Sequence, residues 1–283
     1  MGTLALAAKI THVPTMVLSE RDGPFKDCRK PAIDSLKALG DKAREIGVDT
    51  YVVVDTHWLV NIGFHVNAGE RHRGVYTSHE IPHLLQDIAH DYPGAPALGE
   101  LIAAAAPEVG LEAHAHAVPT LALEYGTLLP MRYMNPDSAI RVVSVASPLF
   151  TSIDENRRFG EAIRRGIERS GATVALLASG SLSHKLWDNE GFDERSWFTI
   201  SSEFNKQMDL RVLDLWRERR YKEFLDMLPE YSRKCNGEGL MADTAMLFGA
   251  LGWDRYRGAA TELCPYFEAT GSGQVNVEFA VAD

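Results

Sequence analysis

The sequence predicts a single α/β domain over residues 1–283, with a central mostly parallel or mixed sheet flanked by helices and a helical section in its last third. Short apolar runs indicate buried strands, and amphipathic patterns of helical period lie between them. No repeat, low-complexity tract or Pro/Gly-rich linker divides the 283 residues. A chain of this length can bury one large core.

Four apolar runs predict the strands of the sheet. Each is rich in Val, Ile, Leu or Ala and shows little alternation with polar residues, as expected of strands covered by helices on both faces. The runs are Leu4–Ile10, Thr50–Val54, Ile140–Ala146 and Thr173–Ala178. The tail Gln274–Val281 alternates weakly and predicts one further strand.

Helical patterns lie between and after these runs. Pro31 suits the first turn of a helix that ends near Gly47. The other predicted helices are Leu98–Glu108, Asp154–Ser170, Trp197–Arg219 and Met241–Leu251. The last two form the predicted helical section.

The composition argues against several classes of function. There are 29 basic and 39 acidic residues, a net charge of -10, and no basic block that would favour nucleic acid as a partner. No stretch approaches the ~20 consecutive apolar residues of a membrane span, and no signal peptide is recognisable. Cys28, Cys235 and Cys264 form no CxxC pair, which suits a reducing compartment. We therefore expect a cytoplasmic protein that binds neither nucleic acid nor membrane.

Three histidines follow predicted strands, where α/β sheets form their sites. His12, His57 and His184 each come shortly after the end of an apolar run, and Glu238 lies between two glycines later in the chain. Alone, each histidine is more typical of a loop, and Glu238 of a turn. Together, two imidazoles and one carboxylate are the ligand set of non-haem iron(II) oxygenases. Spacing alone does not establish the site, because these residues are distant in sequence.

Two other histidine patterns point elsewhere. His79-Glu80-Ile81-Pro82-His83 matches the HExxH zinc-peptidase motif, but Pro82 interrupts the helical turn that this motif requires, and a helix beginning at Pro82 is the more natural expectation. His114 and His116 alternate along a predicted strand and so point the same way; they could be ligands, although a short exposed edge is the commoner explanation.

The segments that carry these residues, taken together, resemble the class III extradiol dioxygenases, and the resemblance runs through nearly the whole chain. It is carried by Leu4–Pro14, Asp55-Thr56-His57-Trp58, Leu123-Glu124-Tyr125-Gly126, Pro130-Met131-Arg132-Tyr133, Ser179-Gly180-Ser181-Leu182-Ser183-His184 and Gly237-Glu238-Gly239.

The resemblance implies an iron(II) site made by His12, His57 and Glu238, with His184 as the acid/base residue. Several members of this family have a second acid/base histidine in an Asp-His-Gly pattern. Here that place reads Glu124-Tyr125-Gly126, so Tyr125 is expected to hydrogen-bond the substrate or an intermediate. A homo-oligomer is the family expectation.

The two expected substrate-binding residues outside that set are His116, as a residue that lines the pocket, and Arg132, as a partner for a substrate carboxylate. For Arg132, a surface ion pair is an equally good interpretation. Trp58, Tyr133 and Trp187 could form aromatic walls of the pocket, although core packing is commoner for such residues.

The expected function is insertion of both atoms of O2 into a catecholic substrate in aromatic catabolism. The favoured substrate is 3,4-dihydroxyphenylacetate, cleaved between positions 2 and 3 to give a hydroxymuconic semialdehyde. Protocatechuate and an aminophenol are alternatives within the family. A zinc-dependent hydrolase that uses the same ligands, and a catalytically silent partner subunit, are the alternatives outside it.

Overall fold

A mixed sheet of eight strands lies at the centre of the computed structural model, which describes residues 1–281. The strands are β1 (Thr3–Ile10), β2 (Thr50–Val60), β3 (Phe64–Asn67), β4 (Arg71–Tyr76), β5 (Ile88–Pro93), β6 (Ala113–His116), β7 (Arg141–Pro148), β8 (Thr173–Ser179), β9 (Ala260–Glu262), β10 (Phe267–Ala269), β11 (Ser272–Gln274) and β12 (Val277–Phe279). The central order is β6-β3-β7-β2-β8-β1-β12-β9, while β4 pairs with β5 and β10 with β11. The predicted mixed α/β sheet is confirmed.

The four strands predicted from apolar runs are neighbours at the middle of this sheet. β7, β2, β8 and β1 lie side by side and pair in parallel. Their side chains are buried from both faces, which explains their continuous apolar composition. The predicted tail strand is also formed, because β12 pairs antiparallel with β1.

Helices cover both faces of the sheet. They are α1 (Thr15–Glu20), α2 (Lys30–Glu45), α3 (Pro96–Ala105), α4 (Tyr125–Met134), α5 (Ile153–Arg169), α6 (Glu203–Arg217), α7 (Tyr221–Lys234) and α8 (Ala242–Leu251). The core on one face includes α3, α5 and α8, with α6 and α7 packed beside them. The core on the other face includes α2 and α4. The helical section of the last third is confirmed.

Two helical predictions need correction, and one helix was not predicted. The helix predicted from Trp197 begins at Glu203, because the Ser202 side chain caps it by accepting a hydrogen bond from the backbone N–H of Asn205. No helix begins at Pro82, where the chain forms only a turn within the connection from β4 to β5. Helix α7 was not predicted, since Pro229 lies inside its apolar pattern.

The order of the central strands positions the site. Because β2, β8 and β1 are adjacent and parallel, the segments that follow their carboxyl ends meet at one edge of the sheet. The residues around His12, His57 and His184 all belong to these strands or the segments after them. Among the described residues, no helix is both long and apolar enough to span a bilayer.

Candidate metal centre

Three side chains from distant parts of the sequence meet at this edge of the sheet. Nε2 of His12 lies 3.1 Å, and Nε2 of His57 3.2 Å, from Oε1 of Glu238. One ligand atom from each residue lies within 4.8 Å of the other two. His12 and Glu238 are buried, and His57 is largely buried. These atoms are close enough for one metal ion to contact all three.

The loop between α7 and α8 holds Glu238 in place. Gly239 (φ 53°) and Leu240 (φ 55°) adopt left-handed backbone conformations and turn the chain sharply after the glutamate. Oε1 of Glu238 accepts a hydrogen bond of 2.6 Å from the hydroxyl of Thr56, and Oε2 accepts one of 2.5 Å from the backbone N–H of Ser181. Both carboxylate oxygens are therefore fixed by residues that follow β2 and β8 or lie within them.

The carboxyl group of Glu238 is ionised. Burial opposes ionisation, but the positive potential of His184 and His12 and the hydrogen bonds from His12 and His57 hold the pKa of Glu238 well below its usual range. A buried carboxylate among three imidazoles is a favourable position for a cation.

The hydrogen bonds of His12 leave one lone pair facing the centre. The hydroxyl of Ser179 donates to the carbonyl of Gly126 at 2.5 Å, so it accepts from Nδ1–H of His12 at 3.0 Å. Nε2 of His12 then faces Oε1 of Glu238, and when this nitrogen carries no proton its lone pair is directed at that oxygen, which is also an acceptor. Two acceptors at this distance need a proton or a metal ion between them. The donor chemistry thus fits a divalent metal.

His57 is oriented by carboxylates on both sides of its ring. Its backbone N–H donates to Oδ1 of Asp55 at 2.8 Å, while its Nδ1 lies 3.8 Å from Oε2 of Glu80. Burial lowers the pKa of His57, but the carboxylates of Glu238 and Glu80 outweigh that effect and raise it to about 10. A carboxylate behind a histidine is a common means of orienting a metal ligand.

Tyr125, at the first turn of α4, packs on this histidine. Its ring centroid lies 3.7 Å from that of His57, and its hydroxyl donates to Oε2 of Glu80 at 3.2 Å. Burial and the charges of Glu80 and Glu238 raise the pKa of Tyr125, so the phenol stays protonated. The next residue, Gly126, approaches Asp55 so closely that a Cβ atom would lie 2.1 Å from its carboxylate. This close approach accounts for the glycine at position 126.

His184 lies beside Oε2 of Glu238, whereas His12 and His57 lie beside Oε1. Its Nδ1 is 2.8 Å from the hydroxyl of Ser181 and 3.4 Å from Oε2 of Glu238. The side chain is 28% exposed, in contrast to the buried glutamate. His184 can therefore reach a molecule bound in front of the metal-ligand set.

A buried carboxylate, Asp209 of α6, anchors the segment before His184. It accepts hydrogen bonds from the backbone N–H and hydroxyl of Ser183 at 3.2 and 2.7 Å, from the hydroxyl of Tyr231 at 2.5 Å and from that of Tyr266 at 2.8 Å. Burial raises the pKa of Asp209 to about 6, against the lowering effect of these donors. The segment carrying His184 is thus tied to α6 and α7.

A cavity of about 370 Å³ opens onto the three ligands, Tyr125 and His184. Its other walls include Glu80 and His83 from the connection between β4 and β5, and the aromatic side chains of Trp187, Phe192 and Trp197. The expected contribution of Trp187 to the pocket is therefore seen. Trp58 and Tyr133 line other cavities. An aromatic ring with polar groups at one end fits these surroundings.

Two expected substrate-binding residues lie outside this cavity. Arg132 is on the half-exposed side of α4, where its guanidinium donates to the carboxylate of Glu20 at 2.8 Å. His116 is in the edge strand β6, where its Nε2 lies 2.7 Å from Nδ1 of His65. The single chain does not bring either residue to the metal centre, because α4 and β6 direct these side chains to other surfaces.

Sequence reasoning missed Glu80, His83 and Asp209. Glu80 and His83 lie in the segment that matches HExxH. This segment does not form the helix that a zinc peptidase requires, but as a loop it reaches the cavity. A charged and an imidazole residue close together in an irregular segment could have indicated a site. Asp209 gave no such signal, because it lies inside an amphipathic helix.

The chain matches the family model described as the catalytic LigB subunit of aromatic ring-opening dioxygenase over residues 6–280. It is 50% identical over 270 residues to 3,4-dihydroxyphenylacetate 2,3-dioxygenase of Escherichia coli, covering 94% of this chain and 97% of that protein. It is 24% identical over 282 residues to the 2-aminophenol 1,6-dioxygenase beta subunit of a Pseudomonas species, covering 95% and 91%.

The fold is shared with a crystal structure of an uncharacterised protein of Escherichia coli K12, with a TM-score of 0.59, 17% identity and coverage of 87% and 91%. The fold, the His-His-Glu set and the family match define an aromatic ring-opening dioxygenase. The chain belongs to the LigB family, which is the class III extradiol family that its sequence resembles.

Proposed function

We propose that this enzyme cleaves 3,4-dihydroxyphenylacetate between ring positions 2 and 3, placing both atoms of O2 in a hydroxymuconic semialdehyde product. The observation that carries the proposal is the His12–His57–Glu238 set facing an aromatic-walled cavity, together with 50% identity to a relative that carries this activity in its name. A cavity of about 370 Å³ has room for one catechol with a short side chain.

The metal is iron(II), held by Nε2 of His12, Nε2 of His57 and the carboxylate of Glu238. Two neutral imidazoles and a carboxylate on one face are the donor set of non-haem iron(II) oxygenases, whereas a closed set of four would suit a structural metal. Iron(II) in this place supplies the redox chemistry that lets triplet O2 react with a catechol. The chain's own residues bind the ring, orient it and move protons.

His184 acts as the acid/base residue. It lines the same cavity as the three ligands, beside Oε2 of Glu238, and its Nδ1 lies within hydrogen-bond distance of the Ser181 hydroxyl. In this position His184 takes a proton from a substrate hydroxyl as the catechol binds and returns one as the ring opens. A positioned acid/base residue typically contributes 10²–10⁴-fold to rate.

Tyr125 takes the place of the second acid/base histidine found in several family members, but as a hydrogen-bonding group that keeps its proton. Its side chain lines the cavity, and its protonated hydroxyl donates to Glu80, so the hydroxyl oxygen is free to accept a hydrogen bond from the substrate or an intermediate. Glu80 therefore positions two groups at once, the ring of His57 and the hydroxyl of Tyr125. Neither role needs Glu80 to contact the metal.

His83 recognises the carboxylate of the substrate side chain. Among the described residues that line the cavity, it is the one imidazole that is neither a proposed ligand nor the proposed acid/base residue, and no lysine or arginine lines the cavity. It replaces Arg132 in that role, since Arg132 is paired with Glu20 outside the cavity.

The chain works as one catalytic domain over residues 1–283 and as a homo-oligomer in the cytoplasm. Self-association is supported by two exposed apolar side chains, Ile62 and Phe150, which are 72% and 75% exposed. Their segments are adjacent, because the backbone N–H of Phe150 donates to the carbonyl of Asn61. Light scattering after size exclusion tests it, and a monomer at micromolar concentration would contradict it.

The decisive test of function is O2 uptake by anaerobically prepared, iron(II)-reconstituted enzyme with 3,4-dihydroxyphenylacetate, protocatechuate and 2-aminophenol. We expect the highest kcat/KM and a yellow product with the first substrate. Activity on 2-aminophenol alone would favour the reaction named for the 24% identical relative. Turnover without O2, supported by zinc, would favour the hydrolase alternative.

A further inference from the structure

Three histidines form a second cluster on the outer edge of the central sheet. His114 and His116 stand two residues apart on β6, so both point to the same face of the strand. β6 pairs in parallel with β3, and in this register His65 lies beside His114. The ring centroids of His65, His114 and His116 are 5.0, 5.5 and 6.3 Å apart. This is an imidazole triangle built from two neighbouring strands.

Two nitrogens of this cluster already face each other. Nδ1 of His65 lies 2.7 Å from Nε2 of His116, and Nε2 of His65 lies 3.1 Å from the carbonyl of Ile62. The carbonyl requires a proton on Nε2 of His65, which leaves the lone pair on Nδ1 directed at His116. A histidine whose second nitrogen donates to a backbone carbonyl is oriented as metal ligands usually are.

Little movement would turn this pair into two ligands of one ion. With Zn–N bonds of about 2.0–2.1 Å and tetrahedral angles, the two nitrogens would be roughly 3.3 Å apart. His114 must rotate to join them, and its side chain is 51% exposed, so packing does not prevent the rotation. The carboxylate of Glu112, 3.5 Å from Nε2 of His114, can orient its ring or occupy a further position.

Space for a further ligand lies beside His65 and His116. A cavity of about 330 Å³ there has apolar walls that include Trp58, Val60 and Val118. Three imidazoles with an open position are a zinc-binding arrangement. Imidazole also suits copper(II) and nickel(II), which by the general order of affinities compete with zinc.

We propose that His65, His114 and His116 form a second metal site, distinct from the ring-cleavage centre, that takes a divalent transition metal and prefers Zn²⁺ to Fe²⁺. The two centres lie on opposite sides of β2, because His57 lines the catalytic cavity whereas its neighbour Trp58 lines the cavity beside this cluster. A metal ion at the second site cross-links the edge strand β6 to β3 and stabilises that edge.

Metal stoichiometry tests the proposal. Four proteins are dialysed against low micromolar Zn²⁺, and their metal content is measured by mass spectrometry. They are the wild type, His65→Ala, His114→Ala and His79→Ala. The last is the control, because it removes an exposed histidine elsewhere. We expect wild type and control to hold one Zn²⁺ per chain more than either cluster variant. Failure of the catalytic centre to bind metal would lower all four values equally and leave this difference intact. Equal zinc content in all four proteins would overturn the proposal.

Thermal unfolding provides a second test that does not depend on the number of metal ions bound per chain. Zn²⁺ added to iron-loaded protein should raise the Tm of wild type by about 2–4 °C and leave that of His114→Ala unchanged. Circular dichroism and O2 uptake by iron-loaded His114→Ala should match wild type, because this side chain is exposed and lies outside the catalytic cavity. An equal Zn²⁺-induced shift in both proteins would contradict the site.

Discussion

The hydroxyl of Tyr125 donates a hydrogen bond of 3.2 Å to the carboxylate of Glu80. The same carboxylate lies 3.8 Å from Nδ1 of His57, whose ring stacks on that of Tyr125. One loop residue between β4 and β5 thereby connects a proposed metal ligand with a proposed substrate-binding hydroxyl. The loop also forms part of the cavity wall, so substrate recognition and the orientation of the metal ligand share one short segment.

Glu80→Gln should lower iron affinity or activity by roughly 10–100-fold, the usual effect of removing the partner of a metal-ligating histidine. Iron titration and O2 uptake measure the two effects separately. The matched control is Glu70→Gln, an exposed glutamate at the start of the same hairpin. If Tyr125→Phe and Glu80→Gln act through one contact, their effects on kcat should be less than additive. Full additivity would contradict a shared role.

His184→Ala should keep its iron and lose roughly 10²–10⁴-fold in kcat, as expected for loss of an acid/base residue. Glu238→Ala provides the contrast. It should lose bound iron as well as activity, because Oε1 of Glu238 lies close to Nε2 of both His12 and His57. Metal analysis of the two purified variants separates the roles. An iron-free His184→Ala protein would assign His184 to the metal site instead.

Asp209→Asn should change how stability depends on pH. Burial raises the pKa of Asp209 in the folded protein to about 6 from an ordinary 3.8, so the protonated form stabilises the fold. That stabilisation is complete below about pH 4 and is lost as the pH rises through about 6. It amounts to roughly 3 kcal/mol at 1.36 kcal/mol per pKa unit.

Urea unfolding of wild type and Asp209→Asn at pH 4.5 and pH 7 checks this prediction. The free energy of unfolding of wild type, measured relative to that of the variant, should be lower at pH 7 than at pH 4.5. A difference that is independent of pH would show that Asp209 keeps an ordinary pKa despite its burial.

His83→Ala should raise KM for 3,4-dihydroxyphenylacetate roughly three- to fivefold, because an exposed polar pair contributes at most about 1 kcal/mol. KM for 4-methylcatechol, which has no carboxylate, should not change. His79→Ala is the matched control, since it removes an exposed imidazole from the same loop. An equal rise in KM for both substrates would indicate that His83 shapes the cavity and does not bind the substrate carboxylate.

The elements that local sequence predicts best are those that the core buries. Leu4–Ile10 and Thr173–Ala178 show continuous apolar composition because helices cover both faces of the sheet, and they lie at its centre. Helix α7 was missed because Pro229, which the structure tolerates inside the helix, breaks the local pattern. Local preference is a weak guide wherever tertiary packing compensates for a poor residue.

The sequence by itself determined the α/β class and the central strands, because burial leaves a pattern in the sequence. It also indicated His12, His57 and Glu238 as candidate metal ligands, because they lie in segments that resemble one family. The tertiary structure alone decided which distant side chains share a cavity. It brought Glu80 and His83 to the site and left His116 and Arg132 outside. Strand order and loop geometry make that choice, and neither can be read from the residues near these positions in the chain.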